Sequence, residues 1–113
     1  MRPLLPALLL IAALPSHAGF DTGNRLHEDC RASNYFNRGY CGGYVVGIVD
    51  TIESLQARGV LPADALCIPD DVTKGQLVDV VGKYLADHPE RRNAEAGGLV
   101  PEALGKAFPC PGR

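Results

Sequence analysis

Four cysteines, Cys30, Cys41, Cys67 and Cys110, are the residues of this 113-residue chain with the most defined chemistry. Structural zinc usually takes thiolates from close pairs, and thioredoxin-like enzymes need a resolving thiol in Cys-x-x-Cys. No Cys-x-x-Cys occurs here. An even number of scattered cysteines in a short chain is typical of disulfides, provided that the chain reaches an oxidising compartment. The sequence therefore predicts two structural disulfides, with no metal or redox centre.

The N-terminal segment predicts such a compartment. Arg2 supplies a basic start, residues 4–14 are almost entirely apolar, and Ser16 and Ala18 are small residues at the two positions that signal peptidase reads. This run is too short to span a bilayer, and no later run reaches about 18 apolar residues. We expect a signal peptide over residues 1–18, cleaved after Ala18, and a periplasmic domain over residues 19–113 with no membrane association.

No other residues form a catalytic or cofactor pattern. His27 and His88 lack the spacing of a metal or nucleophile site, and Asp70-Asp71 precede a helix, where negative charge is favourable. Arg91-Arg92 is the only basic pair outside the signal, and the net charge of −2 argues against a nucleic-acid partner. We expect a protein that is not an enzyme and carries no cofactor, with His88 as a half-buried structural residue near a helix end.

Apolar periodicity predicts two strong helices. Thr73 and Gln76 have capping-box spacing, and an apolar stripe continues from Leu77 to His88. A second helix is expected over residues 41–58, with Gly59 as its stop, and its β-branched residues leave a strand as the weaker alternative. On the second helix, one face carries the small residues Gly43, Gly47 and Ser54, where another helix could approach closely. Asp50 interrupts this face, either as an exposed or locally hydrogen-bonded carboxylate or as a buried anchor for a partner helix.

Weaker signals complete the fold. A short helix is expected over residues 22–32, followed by a loop over residues 34–39. Pro89 suits a first helical position, and a last helix through Ala107 should kink or break near Gly98 because of Pro101. The prediction is an all-α, disulfide-stapled bundle of four to five helices.

Four cysteines allow three pairings. The connection over residues 60–69 can run back along the second helix, which favours Cys41 with Cys67. Cys30 then pairs with Cys110 by elimination.

A series of motifs extends over most of the chain: the string from Cys41 to Gly47, Cys67-Ile68-Pro69, and residues from Val72 to Pro89. It continues through Leu99-Val100 to Ala107-Phe108-Pro109-Cys110. This series resembles the Rap/Tai family of periplasmic immunity proteins associated with type VI secretion. The motif positions taken as structural are Gly43, Tyr44, Gly47, Pro69, Thr73, Gln76, Tyr84, His88, Pro89, Phe108 and Pro109.

The resemblance implies a helical protein, often a homodimer, that occludes a peptidoglycan-cleaving amidase delivered by neighbouring bacteria. Such an amidase has a cysteine nucleophile in a cleft, and an inhibitor needs only a rigid complementary projection. The alternative is a stand-alone periplasmic binding or chaperone-like protein with no cognate toxin. An enzyme using His88 or Asp50 is a third reading.

Overall fold

A computed structural model describes residues 2–4 and 19–112 of the chain. The predicted signal peptide, residues 1–18, lies outside the described residues except for residues 2–4. Within residues 19–112 the structure has four α-helices and one short 3₁₀-helix: α1 (Gly23–Arg31), α2 (Tyr35–Ala57), α3 (Lys74–Asp87), the 3₁₀-helix (Pro89–Arg91) and α4 (Ala96–Ala107). The all-α bundle is confirmed. None of the helices in the described part of the chain is long and apolar enough to span a membrane.

Side-chain caps set where the first three helices begin. The Arg25 N–H donates to the Thr22 hydroxyl at 3.2 Å, and the Asn37 N–H donates to the Asn34 side chain at 2.9 Å. Asn34 therefore starts α2 six residues before Cys41, and the predicted loop over residues 34–39 is wrong. This cap pairs one of the N–H groups that a helix start leaves without a partner, which favours starting the helix here and including the polar and aromatic residues after Asn34.

The predicted capping box at the start of α3 is confirmed. The Gln76 N–H donates to the Thr73 hydroxyl at 3.1 Å, and the Thr73 N–H donates to the Gln76 side-chain oxygen at 2.7 Å. The α3 stripe buries Leu77, Val81, Tyr84 and Leu85. It packs with α1, α2 and α4 around a core that contains Leu26, Cys41, Val45, Val49, Leu66, Leu99, Val100, Ala103 and Leu104.

The last helix continues through Gly98 without the predicted break. Pro101 is its sixth residue, so the missing N–H leaves the Gly97 carbonyl without its helical donor. Gly97 is exposed, which lets water pair with that carbonyl. Burial of Leu99, Val100, Ala103 and Leu104 stabilises the helix against this single loss.

The disulfide pairing predicted from the sequence is wrong. The structure joins Cys30 to Cys41 and Cys67 to Cys110, with Cα–Cα distances of 5.0 and 5.1 Å. Cys30 lies in the last turn of α1 and Cys41 in the second turn of α2, so the tight α1–α2 connection brings them together. The predicted partners Cys41 with Cys67 and Cys30 with Cys110 are not joined.

The position of the connection after α2 explains why Cys67 does not reach Cys41. The Gln56 amide donates to the carbonyls of Ala63 and Leu66 at 2.9 and 3.0 Å, which holds this segment at the end of α2. Gln56 is 15 residues beyond Cys41, a distance of about 22 Å along a helix. A disulfide requires Cα atoms within about 7 Å.

Candidate functional site

Tyr84, His88 and Pro89, three of the motif positions, meet where α3 ends. The His88 ring stacks on the Tyr84 ring with centroids 4.1 Å apart, and its Nδ1 lies 2.8 Å from the Tyr84 carbonyl oxygen. Pro89 begins the 3₁₀-helix that follows. His88 is half-buried, and it belongs to no metal-holding cluster of three or more histidine, cysteine or acidic side chains in the part of the chain that the structure describes. This arrangement fits a residue that ends a helix.

The same corner contains a polar cluster that ties the 3₁₀-helix to α4. The Tyr84 hydroxyl donates to Glu102 Oε2 at 2.6 Å, and the Arg91 guanidinium binds both Glu102 oxygens at 3.1 and 2.9 Å. The Lys106 ammonium lies 5.2 Å from the centroid of the Tyr84 ring. Hydrogen bonds from Arg91 and then Tyr84 lower the pKa of Glu102 from its ordinary value of 4.5.

Changing Glu102→Gln should lower the free energy of unfolding at neutral pH, because glutamine keeps the shape but loses the charge that pairs with Arg91. Since the folded-state pKa is lowered, this stabilisation is fully present above about pH 4.5 and is lost as the pH falls through the folded pKa. Urea unfolding of both proteins from pH 7 down to pH 3 measures it. The two stability curves should converge in acid.

Glu90→Gln is the matched control, since Glu90 is an exposed carboxylate next to Arg91 on the same 3₁₀-helix. It should leave the unfolding free energy nearly unchanged. A constant difference between wild type and the Glu102 variant at all pH values would contradict the role given to the charge.

Three further motif positions, Pro69, Phe108 and Pro109, lie near the ends of helices. Pro69 accepts the Val72 N–H through its carbonyl at 3.1 Å, just before the Thr73 cap. Phe108 is the C-cap of α4 and packs against the core, and the exposed Pro109 separates it from Cys110. These three residues therefore lie beside the two cysteines, Cys67 and Cys110, at either end of the segment that contains α3 and α4.

The small-residue face of α2 is open to solvent in the single chain. Gly43 and Gly47 are exposed, and a Cβ atom at either position would meet nothing within 4 Å. Asp50 and Ser54 on the same helix are also exposed, which agrees with the reading of Asp50 as an exposed carboxylate. Tyr44 instead packs against the core and stacks on Tyr40, with ring centroids 6.0 Å apart.

Sequence reasoning missed a group of exposed aromatic side chains near the start of α2. Phe20 is fully exposed, Tyr35 is 92% exposed and Phe36 is 81% exposed, and Tyr40 is partly covered. Exposed aromatic residues are costly in water and are enriched at protein interfaces. The available signal is three aromatic residues within six positions, Tyr35, Phe36 and Tyr40, the first two of them in the segment 34–39 that the sequence predicts as a loop.

Three of these aromatic residues, Phe20, Phe36 and Tyr40, border a pocket of about 450 Å³ between α1 and α2. Its polar lining includes Asp21 and Asp29. The Tyr40 hydroxyl donates to the Asp21 carboxylate, which raises the pKa of Tyr40. We call this feature, with Arg25 and Asn37 as its other lining residues, the acidic aromatic pocket.

Asp29 is the unusual member of the acidic aromatic pocket. Its side chain is almost fully buried, Oδ2 accepts no hydrogen bond, and the nearest cationic atom is Arg25 Nε at 3.5 Å. A buried acceptor without a donor costs about 1 to 3 kcal/mol, and more when it is charged. Oδ2 is closed to solvent in the free protein, so a ligand would reach it only by displacing Arg25, whose side chain is 58% exposed.

The comparison with known families shows which family the chain belongs to. A model of the Rap1a immunity proteins matches residues 22–110. The chain belongs to the Rap1a immunity protein family. This confirms the resemblance seen in the motif series, and a search of curated proteins found no matching relative.

The Rap1a match contains all four α-helices and both disulfides. It also contains the acidic aromatic pocket except for Phe20 and Asp21, which precede it. As a Rap1a immunity protein, the chain protects against a secreted effector. Surfaces that can contact another protein are therefore the relevant functional features. Among the described residues no cluster of three or more histidine, cysteine or acidic side chains could hold a metal ion.

Proposed function

We propose that this protein is exported to the periplasm, where it binds a peptidoglycan amidase delivered by type VI secretion and occludes its active-site cleft. The observation that carries the proposal is the Rap1a family match over the whole stapled helical body, residues 22–110. Immunity requires a stable complex rather than a reaction, so this protein acts without catalysing one.

The cysteine chemistry supports the location. All four cysteines are paired in disulfides. Disulfides form and persist in the periplasm and are reduced in the bacterial cytosol. Cleavage of residues 1–18 after Ala18 would release the helical domain into that compartment, which is also where peptidoglycan is hydrolysed.

Rigidity supports the inhibitory mechanism. One disulfide joins α1 to α2, and the other joins the connection after α2 to the end of the chain beyond α4. A surface that is already ordered loses little conformational entropy when it enters a cleft, so more of the contact energy appears as affinity. Blocking access to the amidase nucleophile then requires no group from the inhibitor to react.

Co-production in a bacterial host tests this proposal. An amidase encoded beside this gene, directed to the periplasm, should lyse the cells, and the full chain should restore growth. The same chain without residues 2–18 is the control, because it should remain in the cytosol and give no protection. Purified oxidised protein should also inhibit peptidoglycan cleavage at equimolar ratio. A protein that is exported and folded but neither binds nor protects would contradict immunity and favour a stand-alone binding role.

We also propose that the protein forms a homodimer through the exposed small-residue face of α2. Gly43 and Gly47 would allow close approach of a second copy, since neither position has a side chain and both are open to solvent. Light scattering of the purified protein should give twice the mass of one chain. The mass of a single chain at micromolar concentration would refute the dimer without affecting the inhibition proposal.

A further inference from the structure

The charges of the acidic aromatic pocket select a cation. Among the side chains that line it are two carboxylates, Asp21 and Asp29, and one guanidinium, Arg25, so these side chains together carry one net negative charge. Arg25 Nε forms an ion pair with Asp29 Oδ2 at 3.5 Å but makes no hydrogen bond to it. The Tyr40 hydroxyl is already directed to Asp21. Asp29 Oδ2 is therefore held by an ion pair with the exposed Arg25 and not by a hydrogen bond, and an incoming guanidinium could replace that pairing with direct hydrogen bonds.

The aromatic residues at the opening of the pocket favour a guanidinium over an ammonium as the bound cation. Phe20, Phe36 and Tyr40 border the opening, and the first two are almost entirely exposed. A guanidinium is planar, stacks on aromatic faces and directs several N–H donors into one plane, whereas an ammonium is a compact and strongly hydrated point charge. Carboxylates behind aromatic faces therefore suit arginine better than lysine.

The pocket also has the anatomy of a site for a protein side chain. Exposed aromatic residues around a buried charged group resemble the centre of an interface, where a few anchors carry most of the binding energy. We infer that the acidic aromatic pocket receives an arginine side chain projecting from the bound effector. This inference deepens the proposed function and rests on it for the identity of the partner.

A small probe tests the chemistry of the pocket without the effector. Nα-acetyl-arginine N-methylamide, titrated into the ¹⁵N-labelled oxidised protein, should shift the amide signals of Asp21, Asn37 and Tyr40. Nα-acetyl-citrulline N-methylamide has nearly the same shape without the charge, and it should produce no saturable shift. Equal shifts with the two probes, or no shift with either, would overturn the inference.

Substitutions of exposed residues test whether the arginine probe binds in the acidic aromatic pocket. Asp21→Asn removes a carboxylate and Phe36→Ala removes part of the rim, and each should weaken binding of the arginine probe by about tenfold. Tyr35→Ala is the control, because Tyr35 is an equally exposed neighbour that does not line the pocket. It should leave probe binding unchanged. Circular dichroism melts establish that each variant is folded, and undiminished binding by a folded Asp21 variant would refute the site.

Binding of the same variants to the amidase distinguishes failure of this inference from failure of the proposed function. With the amidase from the protection experiment, the Asp21 and Phe36 variants should bind at least about tenfold more weakly than wild type, and Tyr35→Ala should bind like wild type. Tight amidase binding by all three variants would refute the pocket as the effector contact and leave immunity intact. If wild type binds no amidase, the proposed function itself fails, and the arginine probe still reports the ligand chemistry.

Discussion

Replacing Cys67 and Cys110 together by alanine is expected to reduce the free energy of unfolding by about 4 kcal/mol. The two residues are 43 positions apart, so the cross-link closes a long loop in the unfolded chain, and the chain-entropy model gives about 4 kcal/mol for a loop of this length. Both side chains are only partly buried, so alanine removes little core packing. Urea unfolding of the oxidised wild type and the double variant measures the difference.

The Cys30–Cys41 disulfide provides the matched comparison. Its separation of 11 residues predicts about 3 kcal/mol from loop closure alone. Cys41 is buried in the core, so replacing this pair also removes packing, and the loss should exceed the loop estimate. Reduced wild type is a further control, since reduction removes both cross-links and retains the cysteine side chains.

Peptide mapping tests the pairing on which this expectation depends. Trypsin digestion of the unreduced protein should link residues 26–31 to residues 39–58, and residues 59–74 to residues 107–113. A link between residues 39–58 and residues 59–74 would refute the pairing. A loss below about 1 kcal/mol in the Cys67 and Cys110 variant would refute the entropic argument, because it would mean that the unfolded state already holds these segments together.

The sequence predicted the helices well where short-range signals agree. The Thr73–Gln76 capping box and the apolar stripe after it are local, so the position of α3 could be derived without knowledge of the other helices. The helix α2 begins six residues before the start that apolar periodicity predicts, because the Asn34 side chain caps it. A single capping side chain, rather than apolar periodicity, decides whether residues 35–40 are helix or loop.

Disulfide pairing depends on information that local patterns do not contain. Whether Cys67 meets Cys41 or Cys110 is decided by the direction that the chain takes after α2. The Gln56 amide sets that direction by donating to three carbonyls 6 to 10 residues further along the chain, those of Pro62, Ala63 and Leu66. These hydrogen bonds join the end of α2 to the connection that follows it. The pattern of apolar and polar residues along the sequence does not predict them.

The acidic aromatic pocket was missed for a related reason. Asp21 and Asp29 are eight residues apart on either side of a helix start, and Phe36 and Tyr40 belong to another helix. Only the α1–α2 packing places them around one cavity. The motif positions report the fold shared by the family, whereas contacts with a partner depend on surface residues such as these.

Gly23→Ala, at the start of α1, is the second substitution expected to lower the free energy of unfolding strongly. Gly23 is buried, its N–H donates to the Ala94 carbonyl at 2.8 Å, and a Cβ there would overlap Leu99 and lie 2.8 Å from Arg92 Cα and 2.9 Å from the Arg92 carbonyl oxygen. Two of these neighbours are backbone atoms, so a rotamer change does not relieve the clash. We expect a loss of about 3 kcal/mol, at the upper end of typical overpacking costs, and a fall in Tm of more than about 10 °C by calorimetry.

Gly105→Ala is the control for this prediction, because Gly105 is an exposed helical glycine whose Cβ would meet nothing within 4 Å. Alanine there should stabilise the protein by up to about 1 kcal/mol through helix propensity. The contrast follows from packing alone, since the substitution is the same. Segment 92–96 also carries the Ala96 N–H that donates to the Asp21 carbonyl at 2.8 Å, so displacement of this segment should disturb the acidic aromatic pocket as well. Equal stability of the two variants would show that the α1 start can move away from Arg92, and the close packing described for Gly23 would then be wrong.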